Sequence, residues 1–187
     1  MTPIRLFVAV LMAGLVAVPV AAAKSPKSVK VSRGATTLSL NTDTAAALTG
    51  LGLTVSPLKP AKVTKAGIAF PVTTGRLNAK TYAGKISHTG GLRIASASTK
   101  VDLRNFRIVV DGAPNLTAQV GNQRISIADL DLSGADISKS GRKLTIANVA
   151  VALSDTAATA LNQAFGTDAL TGGTPLGTAT VVTKIKK

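Results

Sequence analysis

Lys100-Val101-Asp102-Leu103-Arg104-Asn105-Phe106-Arg107-Ile108-Val109-Val110 runs into Asp111-Gly112-Ala113-Pro114 and then Asn115-Leu116-Thr117-Ala118-Gln119-Val120. Val101 and Leu103 share one parity, while Phe106, Ile108 and Val110 share the other. Side chains alternate across a strand, so a β-bulge at Arg104-Asn105 would bring all five onto one face. The Asp-Gly-Ala-Pro segment reads as a turn, and Leu116, Ala118 and Val120 alternate again. A long bulged strand, a turn and a second strand make an antiparallel pair.

The same rhythm extends outward. Gly121-Asn122 turns the chain into Ile125/Ile127, and alternation continues at Leu130/Leu132, Leu144/Ile146 and Val149/Val151/Leu153. On the N-terminal side, Thr36–Leu40 alternates as a strand and Ser56–Lys62 reads as a proline-containing loop. Ile68–Val72 is a strand whose Pro71 suggests an edge or a strand end. Thr74-Gly75 then reads as a turn, Tyr82–His88 as a strand, Gly90-Gly91 as a turn and Leu92–Ala95 as another strand. A last strand falls near Thr178–Ile185. Glycine-punctuated short strands predict a mainly β fold, an antiparallel β-sandwich or barrel.

Two alanine-rich segments interrupt the strands. Asn41-Thr42-Asp43 offers N-caps for a helix over Thr44–Thr49 stopped by Gly50, and Ser154 caps Asp155–Phe165, closed by Gly166. Leu40–Leu48 and Leu153–Leu161 echo each other as strand end, cap and helix. Either they are matching plugs over one sheet system, or both use the same helix-start grammar.

Residues 1–23 have the build of an export signal: Arg5, the apolar run Leu6–Val20, Pro19, and Ala21-Ala22-Ala23 before Lys24. The alternative is a retained anchor, since the uncharged run nears the minimum spanning length of about 18–20 residues. Residues 24–33 are expected to form a basic flexible tail, and residues 34–187 a single β domain. The chain has no cysteine, so disulfides, thiolate metal sites and lipidated cysteine are excluded. A formal net charge of +14, with all eight acids aspartate, directs an exported protein to anionic cell-wall or membrane-surface polymers. The alternative is solvated basic termini with no specific partner. Few aromatics leave no stacking platform for nucleic acid. Localisation is expected to be secreted, with loose electrostatic surface association.

Catalytic motifs are absent. There is no G-x-S-x-G elbow, no phosphate loop and a lone histidine, so the chain reads as non-enzymatic. Asp129 and Asp131 alternate with Leu130, which makes them a solvated strand face rather than a carboxylate pair or a metal site. Tyr82 and His88, the one tyrosine and the one histidine, remain as candidate ligand-binding residues. On a continuous strand they share a face about 20 Å apart at 3.3 Å per residue, too far to hold one ion. The plain alternative is a packed tyrosine and an exposed turn histidine.

Gly84-Lys85-Ile86-Ser87-His88-Thr89-Gly90-Gly91-Leu92 resembles the strand and Gly-His turn of the HtaA domain. That domain is a β-rich module of exported haem-binding and haem-uptake proteins of Gram-positive bacteria. Asp102–Val110, Asp111-Gly112 and Leu116–Val120 resemble the strand, turn and strand that follow in it, and a looser likeness spans Gly34 to Val182. The resemblance implies an exported all-β binding module, with haem as cofactor and His88 in the position that supports the family's iron-ligating tyrosine. That tyrosine has no counterpart in Thr42–Thr49. Under this reading His88 ligates iron directly, with Tyr82 stacking or ligating beside it.

Overall fold

The computed structural model describes residues 27–186. The export segment and the first residues of the basic tail lie outside the described residues. Twelve strands and two helices follow one another: β1 Ser28–Leu40, α1 Thr42–Gly50, β2 Thr54–Leu58, β3 Lys62–Thr64, β4 Gly67–Asn78, β5 Gly84–His88, β6 Gly91–Ala95 and β7 Lys100–Val110. Then come β8 Asn115–Val120, β9 Gln123–Asp131, β10 Asp136–Ser140, β11 Lys143–Leu153, α2 Asp155–Phe165 and β12 Pro175–Lys186.

Hydrogen-bonded neighbours run β7–β5–β4–β1–β12–β11–β9–β8, and β8 pairs back onto β7. The mainly β expectation thus resolves to an eight-stranded antiparallel barrel. Closure satisfies strand edges that a sandwich would leave open. The bulge expected at Arg104-Asn105 is present. Register shifts between Arg104 and Arg107, Asn105 takes a φ of 51°, and Leu103, Phe106 and Ile108 are all buried. Asn148, with a φ of 58° beside the shift between Ile146 and Val149, does the same for β11.

Several local expectations are corrected. Residues 28–33 of the tail expected over residues 24–33 are strand instead, because β1 starts at Ser28. Val31 is 1% exposed and sits between Gly75 of β4 and Ile185 of β12, so ladders on both sides outweigh the surrounding charge. Thr74-Gly75 does not reverse the chain. Gly75 lies within β4, where a Cβ would collide with the Val31 side chain and the Lys85 carbonyl, so glycine serves close strand approach. Pro71 is not on an edge strand. It pairs with Ala35 of β1, and on the other flank it falls between the β3 pairing, ending at Ala69, and the β5 pairing, starting at Val72. β10 has no sequence signal because all five residues are exposed.

The Ser56–Lys62 loop and the Gly90-Gly91 turn are corrected together. β5 and β6 pair with successive parts of β7, through Ser87↔Arg107 and Gly91↔Arg104, so they are one strand kinked at Thr89-Gly90. On its other edge β5 pairs with β4, while β6 pairs with β2. The barrel wall therefore forks just beyond His88, and β2 and β3 fill the fork. Gly90 has a φ of 84°, and a Cβ there would press on the Leu58 carbonyl and the Ala61 backbone.

The fork divides the core. Val31, Leu77, Ile86, Leu144 and Ile185 belong to one apolar cluster, and Leu53, Phe70, Leu92, Phe106 and Leu161 to another. α2 adds Ala157 and Ala158 to the second. α1, capped by Asn41, buries only Thr44 and runs through Gly50 to a cap at Leu51, beyond the expected stop. Ser154 caps α2 as expected: its hydroxyl accepts from the Ala157 N–H at 3.1 Å and donates to the Ser126 carbonyl at 2.9 Å. Ser154→Ala is expected to cost about 1–2 kcal/mol in urea denaturation, the range of a lost N-cap with a buried partner stranded. Asn41→Ala, at the exposed cap of α1, should cost less.

Candidate functional site

A cavity of about 340 Å³ lies between the two apolar clusters, under both helices. Its walls come from β1, β2, β4, β5, β6, β7, β8, β9, β11 and β12, with Thr44, Ala47 and Leu48 from α1 and Leu161 from α2. Exposed Ala47, Leu51 and Ala169 also line it, which places its mouth between the end of α1 and the segment after α2. The lining is aliphatic and aromatic except for Thr36, Thr44, Thr174 and His88. Pockets of this size with few placed polar groups are the usual form of a small-molecule site.

His88 is the one titratable side chain in that lining. It ends β5 at the fork and is only 4% exposed, which corrects the exposed turn histidine. Nδ1 lies 3.2 Å from the Phe106 carbonyl oxygen, which can only accept, so Nδ1 carries the proton and donates. Nε2 therefore holds the lone pair and accepts from the Thr36 hydroxyl at 2.7 Å. Burial pushes the imidazole pKa down to about 4, partly opposed by the Phe106 carbonyl, so the ring is neutral at pH 7. This tautomer puts the Nε2 lone pair on the hydroxyl of Thr36, which also lines the cavity.

Tyr82 is elsewhere. It precedes β5 in a left-handed turn with a φ of 56°, its N–H bonded to the Asn78 carbonyl at 3.1 Å, and it packs against the Val31–Ile185 cluster. The continuous strand from Tyr82 to His88 therefore does not form, and Tyr82 is not part of the cavity lining. His88 is brought to the site and Tyr82 is not. Thr36 and the Phe106 carbonyl are the partners that sequence reading passed over. Thr36 shares parity with Leu38 and Leu40, and all three line the cavity. A hydroxyl in an inward aliphatic row was its signal. Asp129 and Asp131 are exposed as expected, and no group of three His or Asp side chains among the described residues is placed to hold a metal ion.

Haem meets a mixed lining here. The aliphatic walls suit a porphyrin face and His88 Nε2 is a suitable iron donor. The helix residues turned to the cavity are threonine, alanine and leucine rather than tyrosine, and no lysine or arginine lines the cavity to meet carboxylates.

No protein-family model matches the sequence, and no curated protein matches it either. Solved structures do. The C-terminal domain of HtaA from Corynebacterium glutamicum superposes with a TM-score of 0.66 at 17% identity, covering 84% of this chain and 99% of that one. The N-terminal domain of the same protein gives 0.56 at 14% identity over 84% and 99%. The heme binding protein HtaB of that organism gives 0.50 at 13% identity over 87% and 98%. Identities this low speak for the backbone arrangement and not for the site. The fold of this chain is HtaA-domain-like.

Proposed function

We propose that this chain is an exported, non-enzymatic binding module of the cell envelope or extracellular space, which takes a small apolar molecule into its cavity. The observation that carries the reading is the cavity itself: about 340 Å³, almost wholly apolar, with the hydrogen-bonded side chains of Thr36 and His88 in its wall. A lone neutral imidazole with no carboxylate beside it suits recognition better than acid–base catalysis, which needs a positioned partner. Arg5, the Leu6–Val20 run and Ala21-Ala22-Ala23 support export. The net charge of +14 supports retention at anionic cell-wall or membrane-surface polymers.

Haem is the second reading, favoured by the basic Nε2 of His88 at the cavity and by the fold neighbour named as heme binding. When bound, haem would supply an iron for that nitrogen to ligate. What His88 itself does is hold an unprotonated nitrogen, oriented by the Phe106 carbonyl, whose lone pair the Thr36 hydroxyl would have to release to a ligand.

Titration with the apolar fluorophore N-phenyl-1-naphthylamine tests the principal reading. Saturable binding at one site is expected, weakened at least about tenfold by Ala47→Trp, which places an indole at the mouth from an exposed helix position. Absence of saturable binding, or equal binding by the variant, would contradict it. A Soret shift with haemin that is lost in His88→Ala would support the second reading, and a shift unchanged in that variant would remove His88 as a ligand.

A further inference from the structure

Basic residues far apart in sequence are collected by strand register on the outside of the barrel. Lys85 of β5 lies directly opposite Arg76 of β4, Arg76 opposite Lys30 of β1, and Lys30 opposite Lys186 of β12. Directly opposed residues project from the same face, so these four form one row across four adjacent strands. Two residues further along, Ser32, Lys184 and Lys143 make a second row on β1, β12 and β11. The chain neighbours of these residues are the buried Ile86, Leu77, Val31, Ile185 and Leu144, so alternation points the basic side chains outward. All six are exposed.

Like charges directly opposed across strands destabilise a sheet. Neither ion pair among the described residues includes a member of these rows, both being formed by Asp102 with Arg93 and Arg104. At about 4.8 Å between strands, the first row is about 14 Å long. Its single-file form on a convex barrel suits a chain better than a plane, which would meet only part of the curve. Among the described residues, the exposed large apolar side chains, Leu51, Val63 and Ile137, lie on none of the five strands, so none of them stands beside the rows to enter a bilayer.

We propose that the Lys85–Arg76–Lys30–Lys186 row, flanked by Lys184 and Lys143, is a docking surface for a linear polyanion, phosphate or carboxylate groups strung along an unbranched chain. The polymer lies across the strands and relieves the repulsion within the row. This deepens the surface-retention part of the proposed function, replacing diffuse charge with a defined site. It is independent of the cavity, which opens beside α1, at the opposite end of β1 from Lys30.

The test uses fluorescently labelled linear polyphosphate and anisotropy at low and high salt. Wild-type protein is compared with a row variant, Lys30→Gln, Arg76→Gln, Lys85→Gln and Lys186→Gln, and with a control of equal charge loss. The control changes exposed Lys59→Gln, Lys62→Gln, Lys65→Gln and Lys100→Gln. The row variant is expected to bind at least about tenfold more weakly than the control, with the salt slope reduced by about 3 from wild type, roughly 0.7–0.9 of an ion for each of the four lost contacts. Its thermal midpoint should equal or exceed wild type, which separates lost binding from lost folding. Equal weakening in both variants would overturn the row while leaving diffuse retention in place. Tighter, row-dependent binding to anionic phospholipid vesicles than to polyphosphate would overturn the polymer as partner. No binding by wild type at low salt would overturn both row and retention, with the cavity reading untouched.

Discussion

Between pH 6.5 and pH 4 the protein is expected to lose about 3 kcal/mol of folding stability through His88 alone. The folded-state pKa is depressed from 6.5 to about 4 because the imidazole is buried in an apolar wall. In that interval the unfolded chain takes up a proton on this ring and the folded one does not, so acid favours unfolding. Stability is complete above pH 6.5, falls as the pH drops towards 4, and stops falling on this account once the folded ring also protonates. Asp102, held down to about 2 chiefly by its hydrogen bond to Arg93, acts in a lower window, below its ordinary 3.8. Urea midpoints at pH 7.5, 5 and 4 measure the effect. His88→Gln keeps polar atoms at the site without titrating there, and should flatten the profile above pH 4. An unchanged slope in that variant would show that the acid loss arises elsewhere.

Phe106→Ala is the substitution expected to cost most, about 3–5 kcal/mol in urea denaturation. Phe106 is 4% exposed and meets Phe70 edge-to-face, ring centroids 5.0 Å apart at 78°. It sits just after the β7 bulge, where the wall forks, and its own carbonyl orients His88. Truncation removes the ring from the wall of a space that is already hollow, so neighbours have little to collapse onto. In a double-mutant cycle with Phe70→Ala, the two rings should show about 0.5–1.5 kcal/mol of coupling beyond their separate costs. Val101→Ala, partly buried on the same strand, should cost clearly less. If Phe106→Ala matched it, the aromatic pair would not be the hinge of the second cluster.

Strand periodicity carried most of the fold. The parity switch in Lys100–Val110 marked the bulge, and the Ser154–Gly166 grammar marked α2 to the residue. What escaped was long-range in origin. Gly75 and Gly90-Gly91 look like turn residues, yet Gly75 is bare because Val31 and Lys85 approach it, Gly91 because Leu103 does, and Gly90 kinks a strand that continues. Fork and barrel closure depend on which distant edges meet, and β10 was silent because a fully exposed strand has no apolar alternation. The site was half legible. His88 stood out by being alone, but its burial and tautomer come from Thr36 and Phe106, 52 and 18 residues away in sequence. Tyr82 drew attention for the same reason as His88 and belongs to the other cluster. The basic row was hidden most fully: its members gather only when β5, β4, β1 and β12 pair.

A ligand received by the cavity would lie against His88 in its wall. Because the chain has one histidine, its ring nitrogens can be followed without ambiguity in a ¹⁵N-labelled sample. At pH 7 the spectrum should show a neutral ring protonated on Nδ1, with Nε2 unprotonated, and the Nε2 signal should move as N-phenyl-1-naphthylamine saturates the protein. A ring that is charged or protonated on Nε2 at pH 7, or a signal that stays fixed at saturation, would rule out the cavity beside His88 as the binding site.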